Sequence, residues 1–240
     1  MSETIPDYDS IPFLLHGGID GGSKNAKIWF VGIEWADEQD VRDWLANPTQ
    51  GIPELSPQQA EEYLAADDCY LERRMSLIIG AIEGISETNT KYLPKELIKK
   101  DKFFQKNSRY AKLNLFPLAF KSTNNQGATK PLPPHLLTTG FKTYGEYWNW
   151  CNIHRAEMFH KLIKTTSPKV IVCFGKGWWK DFMNNFTIDN NITKKLAADE
   201  KQEIYQITVS KDQHYTLILL PFYMSHKDLI NIGNFIKTLL

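Results

Sequence analysis

Long hydrophobic runs are missing from this chain: no apolar stretch approaches the roughly 20 residues needed to cross a bilayer, so a membrane partner is not expected. The opening residues, MSETIPDYDSIPF, also lack the basic-then-apolar layout of a signal peptide. Cysteine is scarce too. Cys69, Cys151 and Cys173 are too few and too far apart for a disulfide framework or a zinc pattern. A cytoplasmic, metal-free protein is the expectation. Neither G-x-G-x-x-G nor a G-K-[ST] ending occurs, which excludes the two common glycine-rich phosphate loops. The glycines of HGGIDGGS precede the first apolar strand and read as a flexible loop leading into it. No G-x-S-x-G elbow is present, so a serine-nucleophile hydrolase fits poorly. Nor is there an excess of either charge: 28 basic residues face 28 acidic ones. Overall charge therefore cannot drive nucleic-acid binding.

What is present begins with 240 residues of ordinary globular composition, enough for one substantial core. The charges are unevenly spread. From Glu34 to Glu72 there are eleven acidic residues and one basic; from Lys91 to Lys112 there are eight basic and two acidic. KELIKKDKFFQK within the basic stretch reads either as a solvated helical face or as a local phosphate-binding surface carrying Phe103 and Phe104.

Strand and helix patterns alternate along the chain. Lys27–Ile33 (KIWFVGI), Ala111–Leu118, the PKVIVCFG run, Glu203–Val209 and Tyr215–Leu220 read as strands. Helical spacing covers Glu38–Ala46, a segment from Ser56-Pro57 to about Ala66, residues 70–83, a long helix from Tyr144 to Thr165, a start at WWKDFMNNF, and His226–Leu240. Continuous apolar strands that end at glycine and alternate with helices imply an α/β fold. The expected form is a three-layer α/β/α sandwich around a mostly parallel sheet of four or slightly more strands. One domain is expected over 1–240, with an irregular segment at 1–26 and a helical insertion region at 38–110.

In such sheets the ligand crevice lies beyond the carboxyl ends of the strands. Three segments reach that edge. Gly32-Ile33-Glu34-Trp35 delivers a carboxylate at a strand exit, where it either faces water or is aimed into a cleft. Asn114, inside Leu113-Asn114-Leu115-Phe116-Pro117-Leu118, is costly to bury unless its amide is bonded. It either ties down a loop or reads a nucleobase edge. Ser225 is a natural N-cap for the last helix and puts His226 in its first turn. Trp178 and Trp179 read as core or rim aromatics, or as a stacking surface, and Arg155 as an ion-pair partner on the long helix.

Taken in order, these segments resemble the uracil-DNA glycosylase superfamily. Val31-Gly32-Ile33-Glu34-Trp35-Ala36 is similar to its opening strand and Gly-[hydrophobic]-Asn-Pro-Gly motif. Asn114-Leu115-Phe116-Pro117-Leu118 is similar to the Asn-Leu-Cys-Pro-Leu of the single-strand-selective monofunctional branch. SPKVIVCFGK resembles the penultimate strand, and LLPFYMSHKD stands where His-Pro-Ser is usual. The resemblance spans residues 27 to 240.

It implies a monofunctional DNA glycosylase that needs no cofactor, works on single- or double-stranded DNA and is a monomer. Glu34 would position or activate the attacking water, and His226 would steady the departing base anion. Gly32, Ile33, Trp35, Asn114 and Phe116 would line the base pocket, with Asn114 reading the extruded base. Lys176, Trp178, Ser225 and Lys227 would contact DNA. Glu34-Trp35-Ala36 replaces the family's Asn-Pro-Gly, which implies a pocket altered for another base, such as a hypermodified pyrimidine of phage DNA excised in antiviral defence. Two other classes stay open: a catalytically silent member that binds nucleic acid or a nucleotide, and a small-molecule hydrolase on a similar sheet.

Overall fold

A computed structural model describes residues 19–22, 25–33, 70–85, 108–117, 127–188, 191–198 and 202–240. Its elements in chain order are β1 (Ile19–Gly22), β2 (Ile28–Gly32), α1 (Tyr70–Ile82), β3 (Tyr110–Asn114), α2 (Tyr144–Trp150), α3 (Ala156–Thr166), β4 (Val170–Phe174), α4 (Trp179–Phe186), β5 (Ile192–Ala198), β6 (Glu203–Ser210), β7 (Gln213–Leu220) and α5 (His226–Leu239). A π turn, Cys151–Arg155, joins α2 to α3. The helices expected at 38–46 and 56–66, and the KELIKKDKFFQK stretch, lie outside the described residues.

All strands join one seven-stranded sheet in the order β1-β3-β2-β4-β7-β6-β5. Its centre, β3-β2-β4-β7, is parallel throughout. IWFVG and VIVCF are buried at every residue, as strands covered on both faces must be. Alternation sorts their side chains into two cores. Trp29, Val31, Leu113, Ile171, Cys173, Leu217 and Leu219 pack beneath α2, the π turn, α3 and α4. Ile28, Phe30, Tyr110, Val170, Val172, Phe174 and Leu220 pack beneath α1 and α5. Those are the two helical layers of an α/β/α sandwich.

Two antiparallel strands extend the expected set. β5 pairs with β6 beyond the expected β6–β7 pair on one edge, and β1 covers β3 on the other. The 1–26 segment is therefore not irregular throughout, because Ile19–Gly22 is fixed as a strand by its ladder to β3. Such pairing caps an otherwise open edge. The single long helix expected from Tyr144 is also corrected, since one π turn interrupts it. Thr143 starts it with a reciprocal capping box to Glu146. Ser167, left-handed at φ 52°, ends it before Pro168. Asn152 in the π turn is tied to α4 through Asp181 (2.6 Å) and Asn185 (2.9 Å).

Glu83, just past α1, accepts from the Tyr110 hydroxyl and from Arg109, so the end of α1 is stitched to the start of β3. The Arg109 pair is exposed and contributes little by itself. Tyr110, by contrast, is fully buried. Glu83→Leu should therefore cost about 1–3 kcal/mol by removing the charged acceptor of that buried hydroxyl, measured by urea unfolding. Among the described residues no helix is long and apolar enough to cross a membrane.

Candidate functional site

The parallel strands deliver their carboxyl ends to one edge of the sheet. The next described helix after β2 is α1 in one layer, the helices next after β3 and β4 belong to the opposite layer, and β7 is followed by α5 beside α1. In α/β sheets a ligand site is expected where neighbouring strands are followed by helices of opposite layers.

Gly32 and Asn114 are register partners at the close of β2 and β3, and they face the α1 layer by the same alternation that puts Phe30 and Tyr110 there. The pairing continues beyond them: Leu115 N donates to the Gly32 carbonyl (2.9 Å) and Phe116 N to that of Ile33 (2.8 Å). A side chain at Gly32 would place its Cβ 2.8 Å from Asn114 Oδ1 and 2.8 Å from Leu71 Cδ2. The glycine is thus the space that the amide occupies. Asn114 is 1% exposed, and Lys112, one pleat earlier on the same face, is also buried. Nothing in the sequence marks Lys112, because a lysine inside a basic stretch reads as solvated.

The opposite face of this exit is held by Arg155. Its Nη2 donates to the Asn114 carbonyl (2.9 Å) and its Nε to that of Leu115 (3.0 Å). With 0% exposure, Arg155 is a buried clamp on the backbone that carries Asn114, a role the ion-pair reading did not contain. Its guanidinium also lies 5.0 Å over the Phe159 ring.

Phe116 is fully buried and meets Trp178 edge-on at 5.0 Å, with Tyr147 and Trp148 alongside. Trp178 in turn meets Trp148 at 5.0 Å, which makes it a half-buried rim aromatic. Gly175 bends the chain out of β4 at φ 135°, and its Cα faces Ile33. Lys176 is exposed on this turn, 5.9 Å over the Trp179 ring.

At the end of β7, Ser225 caps α5 by accepting from Asp228 N, as its sequence position suggested. His226 and Lys227 open the helix and are exposed. His226 lines a cavity of about 240 Å³ together with Arg73, Arg74, Leu77, Met224 and Leu229. Nothing in a helical YLERRMSL segment signals that these two arginines will line a cavity with α5.

Asn114 and the His226 cavity therefore share the α1 layer, while Phe116 and Trp178 belong to the other. Glu34 and Trp35 lie outside the described residues, beyond the point where Ile33 pairs with Phe116. Burial pushes the Cys151 thiol up to about 12, against the opposing pull of Arg155 and Tyr147, and pushes Cys173 well above its ordinary value. Both thiols stay protonated, and neither supplies a nucleophile. Among the described residues no group of three or more His, Cys, Asp or Glu is placed to hold a metal ion. Compared with known families and with curated proteins, the chain matches no family model and no curated protein.

Proposed function

We propose that this protein is a monofunctional DNA glycosylase, acting as a cytoplasmic monomer on a damaged or modified base turned out of DNA. The base is a hypermodified pyrimidine of phage DNA, not plain uracil, which makes the activity a defence against infection. The observation that carries the reading is Asn114, an amide buried at the end of a central parallel strand with a glycine opposite to make room for it. An amide there can donate to and accept from a base edge. The ordered likeness of the four segments to the uracil-DNA glycosylase superfamily supports it as well.

In this reading the Glu34 carboxylate orients a water molecule beside the sugar and takes its proton as the oxygen bonds to the anomeric carbon. The carbon–nitrogen bond breaks, and its electron pair leaves with the base. His226 opens α5 on the layer that Asn114 faces, and there it steadies the departing base anion. Ser225 and Lys227, at the exposed start of α5, and Lys176, on the exposed turn after β4, meet the DNA backbone.

The test is incubation with DNAs that carry uracil, hypoxanthine or hypermodified cytosines, followed by detection of abasic sites. Abasic sites are expected in the hypermodified DNA, and Glu34→Gln should lower their rate of formation by about 10²–10⁴-fold with the fold intact. Excision of uracil alone would remove the substrate assignment. Binding without cleavage of any of these DNAs would assign the chain to the catalytically silent reading.

A further inference from the structure

The face between α1 and the start of α5 combines three features that base excision does not require. The first is the cavity itself, whose described lining is two arginines, a histidine and three apolar side chains. At about 240 Å³ it falls short of the roughly 300 Å³ at which pockets for drug-sized ligands begin. It suits one compact anionic group better than a whole metabolite.

The second feature is the way Arg74 is held. It is 6% exposed, and its guanidinium lies 5.3 Å over the Phe222 ring and 5.8 Å over that of Tyr223. A planar cation lodged against two rings has its fork oriented in advance, which favours recognition of oxyanions by paired hydrogen bonds. Arg73 reaches the same cavity from the next position on α1, and His226 from α5. The first-turn acid of α5, Asp228, is bonded to the Ser225 hydroxyl at 2.7 Å.

The third feature is Tyr223. Phe222 meets its ring at 6.1 Å, yet the residue is 78% exposed, more than any other large hydrophobic residue described. An aromatic ring presented to solvent beside a cationic cavity has the layout of a site for a phosphate joined to a flat base. A carboxylate ligand would bond to the arginines but would give the exposed ring no part in binding.

We propose that this cavity and Tyr223 form a nucleotide-binding site. Arg73 and Arg74 hold one phosphate, and Tyr223 stacks on the base attached to it. No bond is broken, so the site stands or falls separately from base excision. The nucleotide is either a unit of a single strand or a free nucleotide, and the same chemistry serves both.

The test uses the full chain and the fluorescence anisotropy of a labelled thymidine decamer without terminal phosphates. Unlabelled dTMP, inorganic phosphate and an oligonucleotide of abasic sugar phosphates serve as competitors. Arg73→Gln should weaken decamer binding about tenfold and lower the salt slope by about one. Tyr223→Ala removes the exposed ring and leaves Phe222 against Arg74. It should weaken decamer binding by about 5- to 100-fold and binding of the abasic competitor by much less. Thermal melting of each variant verifies the fold. Competition by dTMP assigns the free nucleotide, and competition only by strands assigns single-stranded nucleic acid. The proposal is overturned if the wild type binds neither the decamer nor dTMP, or if both variants bind like the wild type. Failure to form abasic sites would leave it standing.

Discussion

Arg155→Met should lower the free energy of unfolding by about 3–5 kcal/mol and remove any activity that depends on Asn114. The guanidinium is wholly buried and bonds two consecutive carbonyls, those of Asn114 and Leu115. Methionine fills much of the volume but donates nothing, so both carbonyls lose a charged partner in a site closed to water. Hydrogen bonds to charged groups contribute about 1.5–3 kcal/mol each, which sets the scale. Arg155→Lys keeps the charge but loses the fork, and it should recover only part of the loss. Urea unfolding gives the stability change. A loss below about 1 kcal/mol would mean that the β3 exit does not depend on this clamp.

The second large effect is expected at Gly32, and it concerns activity more than stability. A methyl group there would stand 2.8 Å from Asn114 Oδ1 and from Leu71 Cδ2. The leucine end can swing aside, but the amide has to leave the position from which it would read a base. Displacement of a positioning group by about 1 Å costs on the order of 10²-fold in rate. Gly32→Ala should therefore lower kcat/KM about 10²-fold, and Asn114→Ala about 10²–10³-fold, the range for loss of one oriented donor. The double variant separates this account from a general loosening. Once Asn114 is alanine, the added methyl group has no amide to displace, so the double variant should be no worse than Asn114→Ala alone. Additive losses would show that Gly32 acts through something else.

Much of the fold was legible because the strands that build its centre are continuous apolar runs that end at glycine. KIWFVGI and PKVIVCFG can be stable only when covered on both sides, and that alone calls for two helical layers. The start of α5 was equally plain from Ser225. β1 and β5 were not legible. IDGG has one strand-favouring residue in four, and ITKKLAA lacks the alternation of a half-buried strand; each is a strand because a neighbour offers it a ladder. The π turn was hidden for a related reason: its residues keep a helical apolar pattern. Asn114 stood out in sequence as a polar residue in an apolar strand, whereas its clamp did not. Arg155 lies about 40 residues away and meets Asn114 only after the α2–α3 layer packs. Arg73 and Arg74 belong to the same class, since their cavity exists only between two helices that the chain brings together from far apart.

The central claim is that the protein releases an intact base from DNA, and mass spectrometry of the small-molecule product tests it most directly. DNA carrying a hypermodified cytosine should yield the free modified base and an equal amount of abasic sites, with no strand break. Asn114→Ala should suppress both products together. The appearance of a nucleotide or of inorganic phosphate, or the absence of free base from every modified DNA offered, would contradict the account.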